Sequence, residues 1–230
     1  KVVVIDPGHG GYDQGSRDPA GIYEKDLTLQ LAMQLKKALD GFCRVHLTRD
    51  ADYWIDLERR TALANHHQAD ALISLHACGD PRSTVEGVLI FRHTSNVGQP
   101  FSLTDEEALE RTSQELFVWD DVQMKHINRS QLLANSLLHR LAEAGCSSTR
   151  EILGAPLYVL KGADTAAVLV EIGHISPSLS QMQNKGENSL GSIARAIAQG
   201  LNDYFAKSGS CVGKRDMIEE DIYTGRGAAW

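Results

Sequence analysis

Short apolar runs alternate along the chain with stretches in which leucines recur every three or four residues. The runs predict buried strands, and the spaced leucines predict amphipathic helices. The predicted strands are Val2 to Ile5, Val45 to Thr48, Ala71 to Leu75, Gly87 to Arg92, Leu157 to Leu160 and Ala167 to Val170. The predicted helices are Leu27 to Leu39, Leu57 to Asn65, Gln131 to Glu143 and Ile193 to Phe205. This alternation predicts an α/β fold: a single domain with a mostly parallel sheet and helices on both faces.

Two segments fall outside this alternation. Residues 94–126 are polar and acidic, and Thr104 with Glu107 matches a capping box, so we expect an inserted segment with its own helix. From Ser208 to Trp230 glycine and charged residues dominate, and we expect a poorly ordered tail. The predicted domain therefore covers residues 1–207, with the insertion inside it.

Composition excludes several classes of protein. The chain has 230 residues, 42% of them hydrophobic, which is enough for one sizeable core. Its net charge of −7 argues against a broad nucleic-acid surface, and no apolar run is long enough to cross a bilayer. The four cysteines show no CxxC spacing, which favours buried free thiols over a disulfide scaffold or a thiolate zinc finger. Because the chain begins at Lys1 inside a strand pattern, we expect that an upstream segment has been processed away.

Four polar residues suggest chemistry at one edge of the predicted sheet. His9 and His76 follow predicted strands, Glu24 precedes the first helix, and Glu171 ends the last strand. Carboxyl ends of parallel strands meet at one edge, so these side chains can converge. Two imidazoles and one carboxylate are the ligand set of a catalytic zinc with one open position, and Glu171 would be a spare base. The alternative is that both histidines are structural and that Glu24 is an exposed first-turn carboxylate.

A set of ordered motifs changes the balance between these interpretations. The motifs are Asp6-Pro7-Gly8-His9-Gly10-Gly11, Glu24-Lys25-Asp26-Leu27, Thr48-Arg49, Leu57 with Arg60 and Asn65, Ser74-Leu75-His76-Ala77, and Leu169-Val170-Glu171-Ile172-Gly173. Over about residues 1 to 206 the chain resembles the zinc-dependent N-acetylmuramoyl-L-alanine amidases of bacterial cell walls. The resemblance implies a twisted α/β sheet, a Zn²⁺ cofactor held by His9, Glu24 and His76, and Glu171 as the catalytic glutamate.

The sequence departs from the family pattern at three positions. Cys78 stands where Asn or Asp is usual, and we expect a small buried thiol there rather than a fourth zinc ligand. His174 replaces an aromatic residue, where we favour packing over proton transfer, and Pro177 replaces a common Asn.

Three arginines are candidates for binding a substrate carboxylate, because guanidinium pairs with carboxylate in bidentate fashion. They are Arg49, Arg60 and Arg150. We expect a structural ion pair for Arg60, and Arg150 is the preferred substrate-binding candidate.

The resemblance also suggests a regulatory role for the insertion. Some family members carry an inserted helix after the fourth strand that plugs the zinc site until a partner protein removes it. Acidic residues that could supply the plug are Asp105, Glu106, Glu107, Glu110 and Glu115. Deleting residues 99–124 would then raise basal activity. The alternative is a solvated acidic helix that lines the substrate groove.

The resemblance therefore implies an enzyme of the bacterial cell envelope, periplasmic or secreted. It also implies the substrate, the peptidoglycan amide between N-acetylmuramic acid and L-alanine, cleaved for wall remodelling or daughter-cell separation, and an envelope activator protein as a partner. The alternatives are a catalytically silent peptidoglycan-binding module and a zinc carboxypeptidase that acts on other peptides.

Overall fold

The structure is a computed structural model that describes residues 1–17, 21–77, 87–94, 119–146, 151–173 and 189–212. These residues form one six-stranded sheet with helices packed on it. The strands are β1 (Val2–Pro7), β2 (Arg44–Leu47), β3 (Ala71–Ala77), β4 (Val88–His93), β5 (Ile152–Ala155) and β6 (Ala166–Ile172). The helices are α1 (Glu24–Ala38), α2 (Leu57–His66), a 3-10 helix (Trp119–His126), α3 (Ile127–Glu143), α4 (Tyr158–Lys161) and α5 (Ser189–Val212).

The sheet is mostly parallel, as the sequence predicts. Its strand order is β2-β1-β3-β6-β4-β5, and only the β4–β6 pair is antiparallel. The strands β1, β3 and β6 are neighbours at its centre. Their carboxyl ends therefore lie side by side at one edge of the sheet.

Both faces of the sheet are covered, and this explains the uninterrupted apolar runs of the central strands. Val3 and Ile5 point into the larger core cluster, which contains the apolar faces of α1, α3 and α5. Val4 points the other way, into a smaller cluster with Ala64 of α2 and Leu160 of α4. The prediction of helices on both faces is confirmed.

One predicted element is wrong. Residues 157–160 do not form a strand: Leu157 is the N-cap of the short helix α4, and the strand in this region is Ile152–Ala155. Val159 and Leu160 are buried in the smaller core cluster. A short apolar run is compatible with a buried strand and with a buried helical turn, and periodicity alone does not separate the two.

The last helix is longer than predicted. It runs from Ser189 to Val212 instead of from Ile193 to Phe205, so the first residues of the expected poorly ordered tail are helical. The segment contains glycines but no proline, and isolated glycines lower helix stability without ending a helix. Residues 213–230 lie outside the described part of the chain, as do residues 95–118 of the expected insertion.

Within the described ranges, Cys43 and Cys146 are free thiols, and burial raises the pKa of each. None of the helices in those ranges combines the length and apolar character that a bilayer crossing requires.

Candidate metal centre

The centre begins in the loop that follows β1. His9 has a positive φ of 62°, and the next two residues, Gly10 and Gly11, have φ values of 131° and 60°. A non-glycine residue with left-handed backbone is uncommon and is held there by its surroundings. Here Arg60 binds the His9 carbonyl oxygen from Nη2 at 3.0 Å, and the Gly10 amide donates to the Asp13 carbonyl at 2.8 Å. The loop therefore presents the His9 ring in a fixed direction.

Three predicted ligands converge, although His9 and His76 belong to separate strand ends. His9 Nε2 and His76 Nδ1 each lie 3.0 Å from Oε1 of Glu24. Each of the three residues offers one potential ligand atom, and these three atoms all lie within 4.8 Å of one another. The strands β1 and β3 pair in parallel, with Pro7 opposite Leu75, and this register brings the two rings together.

The donor set fits a zinc ion. Two donors that each lie about 2 Å from one tetrahedral ion are about 3.3 Å apart, close to the observed separations. His9 Nδ1 is 2.9 Å from Oδ1 of Asp13, and a proton held on Nδ1 would leave the Nε2 lone pair available to a cation in place of the contact with Glu24. These three side chains are therefore suited to binding one cation together.

The Glu24 carboxylate is held on both oxygens. Oε1 accepts the Ala77 amide at 3.0 Å, and Oε2 accepts the Ser16 amide and hydroxyl at 2.9 Å each. Burial alone would raise the pKa of Glu24, but hydrogen bonds from His76, His9, Ala77 and Ser16 outweigh burial and hold its pKa well below the ordinary value. The carboxylate is therefore ionised and oriented, as a metal ligand must be.

Neighbouring carboxylates also shift the pKa of His9. Burial would lower the pKa of His9, yet the hydrogen bonds and negative charges of Glu24 and Asp13 raise it above the ordinary value. Asp13 is a residue that sequence reasoning missed. Its only signal in the sequence is a position four residues after His9, which in a loop says little about contact. Its position suits it to orient the His9 ring.

Two glycines make room for the cluster. A Cβ on Gly8 would lie 2.6 Å from Cε1 of His76 and 2.8 Å from the Leu75 carbonyl oxygen. A Cβ on Gly15 would lie 2.6 Å from Cδ2 of His9, and Gly15 also has a positive φ of 65°. The side chains of the centre pack directly against these backbone positions.

Glu171 lies beside the cluster, on the next strand. It is the register partner of His76 in the parallel pair of β3 and β6. Burial raises the pKa of Glu171, and the charge of Glu24 acts in the same direction, whereas His76 lowers it. A carboxylate in this position is next to the cluster without being one of its three donors.

Two of the candidate arginines have structural roles. Arg49 is fully buried, and its guanidinium donates to the carbonyl oxygens of Pro7 (3.0 Å), Gly8 (2.8 Å) and Lys25 (2.7 Å). The suggestion that Arg49 could hold a substrate carboxylate is therefore wrong, because its donors serve the backbone. Arg60 forms the expected ion pair, with Nη1 at 2.8 Å from Oδ1 of Asp6.

Several predicted residues lie outside the described part of the chain. They are Cys78, Thr104, Asp105, Glu106, Glu107, Glu110, Glu115, Arg150, His174 and Pro177.

A cavity of about 330 Å³ opens beside the cluster. His9 and His76 contribute polar groups to its wall. Its apolar lining comes from Trp54, Ile55, Leu57 and Val159. A substrate that reaches the two histidines through this cavity would contact these apolar side chains.

Comparison with known proteins identifies the family of this chain. The family model for N-acetylmuramoyl-L-alanine amidase matches residues 3–203. The chain belongs to this amidase family. It is 30% identical to the amidase AmiA of Escherichia coli K12, over 89% of this chain and 76% of AmiA. It is 28% identical to AmiC of Escherichia coli O6:H1, where the match covers 89% of this chain but only 53% of AmiC. The chain thus spans about half the length of AmiC.

Solved structures of amidases share this fold. The crystal structure of N-acetylmuramoyl-L-alanine amidase from Clostridium difficile 630 superimposes with a TM-score of 0.68 at 26% identity, covering 90% of this chain and 98% of that one. The catalytic domain of CwlV from Bacillus (Paenibacillus) polymyxa var. colistinus gives a TM-score of 0.67 at 24% identity, which supports the fold alone.

Proposed function

We propose that this chain is a zinc-dependent amidase that hydrolyses the bond between N-acetylmuramic acid and the L-alanine of the stem peptide in peptidoglycan. The observation that carries the proposal is the convergence of two imidazole nitrogens on one oxygen of Glu24, with a further carboxylate on the adjacent strand. Family membership supports the amide as the substrate bond.

In this proposal His9, Glu24 and His76 hold the ion, and Asp13 orients His9. Bound zinc polarises the amide carbonyl and makes water more acidic. Glu171 takes a proton from the attacking water as the new C–O bond forms. It then passes a proton to the alanine nitrogen as the C–N bond breaks, so the products are a lactyl carboxylate and a free amine.

The proposal extends to the cellular setting. The predicted domain, residues 1–207, is the catalytic unit in this proposal, although α5 continues past that boundary to Val212. We place the enzyme in the bacterial envelope, periplasmic or secreted, with a role in wall remodelling or daughter-cell separation. The inserted segment, through Glu106, Glu107 or Glu110, would keep the site inactive until an envelope activator displaces it.

The direct test is incubation of the chain with purified sacculi. We expect free stem peptides to be released, release to stop with a chelator, and release to return with added zinc. Glu171→Gln should keep one bound zinc and lose hydrolysis, whereas Glu143→Gln, which changes an exposed carboxylate on α3, should leave both unchanged. Binding to sacculi without release would support the silent module. Release of single amino acids in place of stem peptides would support a carboxypeptidase.

The structure sharpens the test of the insertion. Gln123 is buried and donates from Nε2 to the carbonyl oxygens of Ala163 (2.8 Å) and Thr165 (2.9 Å), and the neighbouring Val122 is buried as well. A deletion of residues 99–124 would remove this anchor and could inactivate the enzyme for structural reasons. A deletion of residues 99–118 spares it. Higher basal release from sacculi by this variant, at an unchanged melting temperature, supports autoinhibition, and unchanged or lower release contradicts it.

A further inference from the structure

Two large aromatic side chains are exposed together at the rim of the cavity. Tyr12 is 76% exposed and Trp54 is 45% exposed. Their rings are stacked, with centroids 5.3 Å apart and an interplanar angle of 25°. Tyr12 follows His9 by three residues, and Trp54 lines the same cavity as His9 and His76. The Tyr12–Trp54 pair therefore adjoins the proposed reaction centre.

The loops that carry the pair are fastened to each other. The Gly11 amide donates to Oδ1 of Asp52 at 2.7 Å, and Lys25 Nζ bridges Oδ2 of Asp52 (2.7 Å) and the Gly11 carbonyl oxygen (2.9 Å). A Cβ on Gly11 would lie 2.7 Å from the Trp54 backbone nitrogen, so the two loops touch. The pair is thus held in place before any ligand arrives, which lowers the entropic cost of binding.

We propose that the Tyr12–Trp54 pair is the glycan-side subsite, on which the pyranose ring of N-acetylmuramic acid stacks. The inference rests on the proposed function and adds the residues that bind the sugar. Aromatic rings offer a large, rigid and uncharged surface at low conformational cost, which suits the C–H face of a pyranose. The peptide side of the scissile amide begins with L-alanine, whose single methyl group has no such face.

The proposal is tested by comparing a substrate that contains the sugar with one that lacks it. Two soluble substrates are needed, a muramoyl peptide and the matching lactoyl peptide, which keeps the scissile amide but lacks the pyranose. For Trp54→Ala and Tyr12→Ala we expect KM for the muramoyl peptide to rise about tenfold with kcat little changed. For the lactoyl peptide the same variants should raise KM much less, because this substrate lacks the pyranose but still passes Trp54 in the cavity wall. Trp54→Phe, which keeps a flat ring, should restore part of the lost affinity.

Phe42→Ala is the matched control. Phe42 is 42% exposed, close to the value for Trp54, but it lies in the loop after α1, at the opposite edge of the sheet. Its removal should leave KM for both substrates unchanged. Melting temperatures identify any variant that fails to fold. If Trp54→Ala fails to fold, Tyr12→Ala remains as a second variant, because Tyr12 is highly exposed. Equal changes on both substrates, or no change on either, would overturn the proposal.

A binding measurement keeps the proposal independent of catalysis. A disaccharide of N-acetylglucosamine and N-acetylmuramic acid without a stem peptide lacks the amide between the lactyl group and L-alanine, so binding can be measured without hydrolysis of that bond. The chain has three tryptophans, so the indole N–H signal of Trp54 can be assigned by its loss in Trp54→Phe. We expect this signal to shift on titration with the disaccharide, and the shift to disappear in Tyr12→Ala. If neither peptide is hydrolysed, the proposed function is wrong, but the titration still shows whether the sugar binds. If the Trp54 signal does not shift, the proposed subsite is refuted.

Discussion

Replacing Gly8 by alanine tests how tightly the metal centre is built into the backbone. The added Cβ would lie 2.6 Å from Cε1 and 2.7 Å from Nε2 of His76, and 2.8 Å from the Leu75 carbonyl oxygen. The backbone cannot easily retreat. The Gly8 amide donates to that same carbonyl oxygen at 2.8 Å, and the Gly8 carbonyl accepts from Arg49 at 2.8 Å and Thr28 at 2.9 Å. Relief therefore requires β1 and β3 to separate or the His76 ring to leave Glu24.

Each route has a measurable cost. Overpacking of a closed site costs about 1 to 3 kcal/mol, and in a chain of this size each kcal/mol lowers the melting temperature by about 2 to 4 °C. Rotation of His76 breaks its 3.0 Å contact with Glu24 and removes one donor from the cluster. We therefore expect zinc affinity to fall by at least about tenfold, since disturbing only an outer partner of a ligand costs 10 to 100-fold.

The assay combines thermal unfolding of the zinc-free chain with competition against a chelator of known zinc affinity. Gly209→Ala is the control, because Gly209 lies in α5 with nothing within 4 Å of an added Cβ. Alanine there should stabilise the helix by about 0.5 to 1 kcal/mol and leave zinc affinity unchanged. If Gly8→Ala retains both the melting temperature and the zinc affinity, the close packing described for Gly8 is wrong.

Three further predictions concern residues around the centre. Asp13→Ala should weaken zinc binding about 10 to 100-fold in the chelator assay, because His9 loses the partner of its Nδ1; unchanged affinity would remove Asp13 from the site. Gln123→Met keeps the side-chain volume but leaves the buried carbonyl oxygens of Ala163 and Thr165 without their hydrogen-bond donor. Denaturant unfolding should show that the free energy of unfolding falls by about 1 to 3 kcal/mol, and an unchanged value would contradict the anchoring role. Arg60→Met leaves the fully buried Asp6 without its 2.8 Å ion pair and should lower the free energy of unfolding by about 3 to 5 kcal/mol. The control Arg59→Met, on the exposed face of α2, should not show this loss.

The sequence located most of the secondary structure because the central strands are buried on both faces. Ala71 to Leu75 is completely apolar apart from Ser74, whose hydroxyl donates to Asp6 at 2.8 Å, and such a run is recognisable without knowing its neighbours. The segment 157–160 was predicted wrongly because its burial resembles that of a strand. The antiparallel pairing of β4 with β6 has no local signal at all, since it depends on where a chain segment returns to the sheet.

The sequence by itself determined the α/β class, the approximate ends of the central strands with the polar residues His9, His76 and Glu171 near them, and Glu24 at the start of the first helix. These follow from hydrophobic periodicity and short motifs, which are properties of neighbouring positions along the chain. The tertiary structure alone decided which nitrogen of each ring faces Glu24, that Asp13 holds His9, and that Arg49 serves the backbone. Hydrogen-bond partners within about 3 Å depend on how distant segments pack, and that information is carried by the packed core as a whole.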